Sequence, residues 1–182
     1  MKELSLNILD LVQNSITAKA KNINIEIVEK TAEKTMFIRI SDDGTGMSEA
    51  VLKKAADPFF TSRTTRKVGI GISLFKMQAE MTGGNFTIES EVDRGTVVSA
   101  LFRTDSLDFV PLGDIISTIC VLISGTPEID FNFVHIIDDN IIELDTVKLR
   151  EVLGRDISLA EPEVIEWIKG YLDGNYEKIK ID

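Results

Sequence analysis

Cysteine occurs once in this 182-residue chain, at Cys120, which excludes an internal disulfide and any cysteine-based zinc site. Histidine also occurs once, at His135, inside the run Phe131-Asn132-Phe133-Val134-His135-Ile136-Ile137. Its alternating context reads as a half-buried strand histidine. Long hydrophobic runs are missing: the longest, Ile115 to Ser124, is about half of the ~20 residues needed to span a bilayer. The start, Met1-Lys2-Glu3-Leu4, has no basic-then-apolar leader. These absences lead us to expect a cytoplasmic protein without a membrane anchor. Positive charge is in deficit as well, with 20 Lys+Arg against 30 Asp+Glu, a net charge of −10 and a pI near 4.7. Nucleic acid and anionic membrane surfaces both repel such a chain, so neither is an expected partner. What remains, 43% apolar and 27% charged residues, is the composition of an ordinary globular protein of one or two domains.

The acid excess is not evenly spread. Residues 1–104 hold 13 acids and 14 bases, whereas residues 105–182 hold 17 acids and 6 bases. The split suggests two units with different tasks, an N-terminal one over 1–104 and a small acidic α+β unit over 105–182. A merely solubilising acidic face would give the same count.

Hydrophobic periodicity places the elements. Leu4, Ile8, Leu11, Val12 and Ile16 have helical spacing over residues 4–18. Asn22 to Glu29 and Thr35 to Ser41 alternate as strands, and Ser48 is placed to cap a short helix through Ala56. A polar, basic loop runs from Thr61 to Val68, and a helix from Gly69 to about Met81 ends at Gly83-Gly84. Asn85 to Ser90 and Thr96 to Arg103 are strands. Beyond them, residues 114–124 read as a helix, although their β-branched content also suits a strand. Strands Ile129–Ile136 and Ile141–Leu144 follow, then a short helix ending at Gly154. The last amphipathic helix begins near Pro162, with Val164, Ile165, Trp167, Ile168 and Leu172 as its apolar residues.

Four segments of residues 1–104 carry chemistry that a plain core does not need. In the first helix Asn7, Asp10, Asn14, Thr17 and Lys21 follow at spacings of three and four, so they form one stripe. An Asn amide oxygen can ligate Mg²⁺, and an upstream carboxylate can order or deprotonate water. A solvent-facing helix side would show the same stripe. Second, Asp42-Asp43-Gly44-Thr45-Gly46-Met47 directly follows a strand, where glycines allow close ligand approach and a carboxylate can accept from an exocyclic amine. Third, Arg63-Thr64-Thr65-Arg66-Lys67 leads into Gly69 and Gly71 at a helix start, a place suited to phosphate. Fourth, Gly95-Thr96 opens the last strand of this half. Neither G-x-x-x-x-G-K-[ST] nor G-x-G-x-x-G occurs, so the phosphate site is not an ordinary P-loop.

In this order the four segments resemble the ATP-binding domain of the histidine-kinase, gyrase, Hsp90 and MutL-type ATPases, and above all that of bacterial sensor histidine kinases. The resemblance covers residues 4–103. It implies an α+β fold, a two-layer α/β sandwich of the Bergerat type with helices on one face of a mixed sheet. It implies ATP and Mg²⁺ as ligands, with Asn14 at the metal and Asp42 at the adenine amino group. Gly44, Gly46 and Met47 would stand beside Asp42, and Thr96 near the adenine. Phe59 and Phe60 would pack under the ATP lid, with Gly69 and Gly71 at the triphosphate. Where sensor kinases carry a further glycine this chain has Lys67, so the grip would lean on Arg63, Arg66 and Lys67. Asp10 stands where gyrase and MutL-type ATPases have a glutamate base. It is one methylene shorter, which suits phosphoryl transfer better than fast hydrolysis.

His135 lacks the H-[ED]-x-x-[NT]-P context of a phosphoacceptor, and we expect no phosphoacceptor hairpin ahead of the first helix. The expectation is therefore a stand-alone kinase-type regulatory subunit that acts in trans on a partner protein, with Asp10 and Asn14 as its catalytic residues. The alternatives are an ATP-gated switch or slow ATPase, and a nucleotide sensor without turnover. A homodimer is compatible with each.

Overall fold

The computed structural model describes residues 3–55, 70–154 and 156–181. Phe59, Phe60, Arg63, Arg66, Lys67 and Gly69 lie outside the described residues. Among the described residues six helices and six strands follow in the order α1 (Leu4–Thr17), β1 (Asn22–Lys30), β2 (Thr35–Asp42), α2 (Glu49–Ala55), α3 (Ile70–Met81), β3 (Asn85–Glu91) and β4 (Gly95–Arg103). Then come α4 (Ile115–Gly125), β5 (Asp130–Ile137), β6 (Asn140–Asp145), α5 (Thr146–Leu153) and α6 (Pro162–Ile181).

The strands form one sheet in the order β3-β4-β2-β1-β5-β6. Every neighbouring pair is antiparallel except β1 with β5, which is parallel and therefore needs the crossover that α4 supplies. Period-2 alternation sends Ile23, Ile25 and Ile27 of β1 to the same side as Met36, Ile38 and Ile40 of β2, and all are buried. Asn24, Glu26 and Arg39 point to the other face. Inward rows cross the sheet in register: Ile38 faces Ile27 on one side and Ala100 on the other. Against these rows pack Leu4, Ile8, Leu11 and Val12 of α1, Phe75 and Ala79 of α3, Ile119 and Ile123 of α4, and Ile168 and Leu172 of α6. The strands of residues 105–182 thus continue the sheet begun by residues 1–104.

Residues 115–125 are helical despite their β-branched side chains. Asp114 caps them, accepting from the Ser117 backbone N–H at 2.9 Å and from Ser117 Oγ at 2.6 Å. Trp167, grouped by its spacing with the apolar side of α6, is 53% exposed. Val164, Ile168 and Leu172 recur every four residues and already fill the buried line, which leaves Trp167 on the flank.

His135 is buried more deeply than its strand pattern suggests, with 1% of its surface exposed. It takes the inward position beside Ile27. Both ring nitrogens are satisfied, Nε2 by Glu29 Oε1 at 2.9 Å and Nδ1 by Tyr176 Oη at 2.7 Å. With Nε2 donating to Glu29, Nδ1 is left to accept from the Tyr176 hydroxyl. Burial, and then the Glu29 carboxylate, push the Tyr176 phenol well above its ordinary range, so it stays neutral. Tyr176→Phe would leave Nδ1 unpaired in the core at a cost of about 1–3 kcal/mol. At ~2–4 °C per kcal/mol for a chain of this size, thermal unfolding should move down by several degrees. An unchanged midpoint would mean that this hydrogen bond contributes nothing.

Candidate functional site

The site is built along α1. That helix starts at the far end of the sheet, where the Leu4 N–H donates to the Pro111 carbonyl, and finishes beside the end of β2. There Ser15 Oγ donates to Asp42 Oδ2 at 2.6 Å, while the Gly44 N–H donates to Oδ1 at 2.9 Å. The two bonds fix the plane of the Asp42 carboxylate and leave further lone pairs on each oxygen. Thr96 is the register partner of Asp42 across the β2–β4 ladder. Its hydroxyl lies 2.9 Å from Ser90 Oγ, which also receives the Met47 N–H at 2.8 Å. Asp42, Gly44, Met47 and Thr96 therefore meet at one corner of the sheet.

The loop after β2 is strapped on both sides. The Thr45 N–H donates to the Ala18 carbonyl and the Asp93 N–H donates to the Thr45 carbonyl. Asp43 ties it to the α1–β1 junction by accepting from Lys21 N–H, Asn22 N–H and the Asn22 amide. Desolvation alone would raise Asp43, but these bonds outweigh it and hold the carboxyl below its ordinary value. Gly44 sits where a Cβ would press on Ala18 and on Asp42 Oδ1, each at 2.9 Å. Gly46 has φ +62°, and a Cβ there would overlap the Glu91 carbonyl oxygen.

A second corner lies further back on α1. At 1.5 Å per residue, Asp10 is roughly 7.5 Å along the axis from Ser15. A Cβ on Gly71 would lie 3.2 Å from Asp10 Cβ and 3.9 Å from Asp10 Oδ2. Gly71 belongs to the first turn of α3, so the exposed Asp10 carboxylate adjoins the electropositive start of that helix. Asn14 is half-buried one turn beyond Asp10, and no described residue bonds its side-chain amide. The polar stripe is narrower than its spacing suggests. Asn7 is wholly buried with both amide atoms unpaired, and Lys21 lies past the end of α1. Among the described residues no group of three or more His, Cys, Asp or Glu could hold a metal by itself. A cation here would need oxygens from its ligand, which is how Mg²⁺ meets nucleotide phosphates.

Sequence reasoning missed Ser15, Asp43 and Ser90. Their partners lie 27, 21 or 22, and 43 residues away, beyond the reach of local patterns.

A mixed sheet carrying its helices on one face, with a carboxylate and two glycines at the end of an inner strand, defines an α+β ATP-binding domain of the Bergerat type. Residues 2–106 match the family described as histidine kinase-, DNA gyrase B- and HSP90-like ATPases. The chain belongs to that family. It is 33% identical to sporulation kinase D of Bacillus subtilis (strain 168) over 92 residues, which are 50% of this chain and 18% of the kinase. The match thus spans about a fifth of that relative's length. Among solved structures, the Aquifex aeolicus MutL ATPase domain complexed with ADP aligns with a TM-score of 0.51 at 19% identity, covering 84% of this chain and 69% of that one. The N-terminal domain of a DNA repair protein aligns at 0.54 with 16% identity, covering 80% and 52%. Both structural likenesses cover more of the chain than residues 2–106 alone. No helix among the described residues is long and apolar enough to cross a membrane.

Proposed function

We propose that this protein binds Mg-ATP and serves as a kinase-type regulatory subunit, passing the γ-phosphate to a partner protein in trans. Asp42 accepts the adenine amino group, with Gly44, Gly46, Met47 and Thr96 around the ring. Gly71 and the start of α3 receive phosphate, with Phe59, Arg63, Arg66, Lys67 and Gly69 as further nucleotide-binding residues. The juxtaposition of Asp10 with the first turn of α3 supports a metal: a carboxylate beside a phosphate site is repulsive unless a cation lies between them. Asn14 supplies the neutral oxygen ligand. Bound Mg²⁺ would offset charge on the phosphates, and the protein's share of phosphoryl transfer is mainly positioning and charge neutralisation.

One observation supports transfer to an acceptor other than His135. His135, the sole histidine of the sequence, is buried with both nitrogens engaged. A nitrogen in that position cannot meet the γ-phosphate unless the core opens. The deciding experiment follows γ-labelled ATP with the protein and whatever co-purifies with it. Label on another polypeptide is the expected result; label released only as inorganic phosphate, or none moved at all, would overturn the kinase reading.

Two substitutions separate the roles in the second corner. Asn14→Ala should lower ATP affinity about tenfold in the presence of Mg²⁺, down to the value measured with chelator, as expected for the loss of one ligand. Asp10→Asn should leave affinity within about twofold yet slow transfer of the γ-phosphate if Asp10 orders the attacking group. Equal losses in binding and turnover would refute that role.

A further inference from the structure

The exposed side of α6 is unlike the rest of the surface. Trp167 and Tyr171, one turn apart, stack with ring centroids 5.3 Å apart and planes within 11°. They remain 53% and 38% exposed, so the stack is formed yet not covered. A parallel row on the same helix carries Glu166, Asp173 and Glu177, all exposed, and Glu163 heads the aromatic row. Between the two rows lie Gly170 and Gly174. Glycine is disfavoured in a helix interior, and here the fold does not require it. Neither residue has a positive φ, and a Cβ on either would meet nothing within 4 Å. The glycines leave a bare strip of backbone between an aromatic wall and a carboxylate wall.

That combination fits a planar cation. A guanidinium can lie flat on an indole or phenol ring while its N–H groups reach carboxylates at the edge. The surrounding charge has the complementary sign, since residues 105–182 hold 17 acids against 6 bases. Lys169, three residues after Glu166 and four before Asp173, flanks the carboxylate row on its α4 side, where it also acts electrostatically on Cys120. We propose that this face of α6 docks an arginine-bearing basic segment of a partner protein. Guanidinium groups of that segment stack on the Trp167–Tyr171 pair and donate to Glu166 and to Asp173, two helical turns apart. The proposal is independent of the nucleotide site and stands whichever way the labelled-phosphate experiment falls.

Trp167 is the sole tryptophan, so its emission reports on this face directly. The full chain is titrated, at fixed ionic strength, with an eight-residue peptide alternating arginine and alanine, and with the corresponding lysine peptide. A saturable change in emission is expected, with the arginine peptide binding at least tenfold more tightly. Glu166→Gln with Asp173→Asn should weaken it at least fivefold. Gly170→Leu, which fills the strip and raises helix propensity, should do the same with an unchanged circular dichroism spectrum. Glu89→Gln with Glu143→Gln removes two exposed acids from the sheet and should leave binding as it was. Equal affinity for both peptides, an unchanged emission, or an equal loss in the sheet variant would overturn the proposal. So would self-association of the chain through Trp167 that excludes the peptide.

Discussion

Asp42→Asn is expected to weaken ATP binding by about 1–3 kcal/mol, roughly 5- to 150-fold, with little change in the thermal midpoint. The asymmetry follows from what surrounds the carboxylate. Oδ2 accepts from Ser15 Oγ and Oδ1 accepts from the Gly44 N–H. An asparagine can keep its oxygen towards Gly44 and turn its NH₂ towards Ser15, whose hydroxyl can reverse roles and accept. The fold therefore keeps both contacts. The proposed adenine amine fares differently, because it can only donate and would lose a charged acceptor while gaining a donor at close range. Ser15→Ala is the companion measurement. It releases one of the two bonds that orient Asp42 and should cost ATP affinity less than Asp42→Asn does. Isothermal titration with thermal melts on each variant separates affinity from folding. Unchanged affinity in Asp42→Asn would remove Asp42 from the adenine site.

Much of this arrangement was legible in the sequence because it is local. Alternation in Asn22–Glu29 and Thr35–Ser41 fixes which face each Ile takes, and Gly83 ends α3 with φ +81° as its position suggests. The loop Asp42-Asp43-Gly44-Thr45-Gly46 is ordinary turn chemistry by composition, and it stands out only through its order among the other three segments. What could not be read is set by distance along the chain. Local alternation marks β5 as a strand, but it carries no record that Asn22–Glu29 pairs with Asp130–Ile137 in parallel. The burial of His135 depends on that pairing, and on Glu29 lying 106 residues away. The division of labour between the adjacent acids is hidden for the same reason. Asp42 turns to Ser15 inside the site while Asp43 turns outward to Lys21 and Asn22, and only the three-dimensional path of the loop separates them. Trp167 shows the converse error: helical spacing says which residues share a face, but not which face the core has already filled.

Gly46→Ala should be among the most damaging single changes in the described part of the site. Two costs add. A residue with a Cβ held at φ +62° pays about 1–3 kcal/mol in backbone strain. The Cβ would also overlap the Glu91 carbonyl oxygen, which is backbone and cannot swing aside as a side chain would. Relief requires the loop to part from the β3–β4 turn, at the expense of the Met47–Ser90 and Asp93–Thr45 hydrogen bonds, each worth about 0.5–1.5 kcal/mol. The total, about 2–6 kcal/mol, is a large share of the ~5–15 kcal/mol that keeps a domain folded. Because Asp42 begins the same loop, nucleotide affinity should fall even at temperatures where the variant remains folded. Gly83→Ala supplies the control. Its φ of +81° brings comparable strain, but a Cβ there meets nothing within 4 Å and the site is distant. It should therefore lose only the strain, and leave ATP affinity intact. If the two variants unfold at the same temperature and bind ATP equally well, the contact between Gly46 and Glu91 does not hold the loop in place.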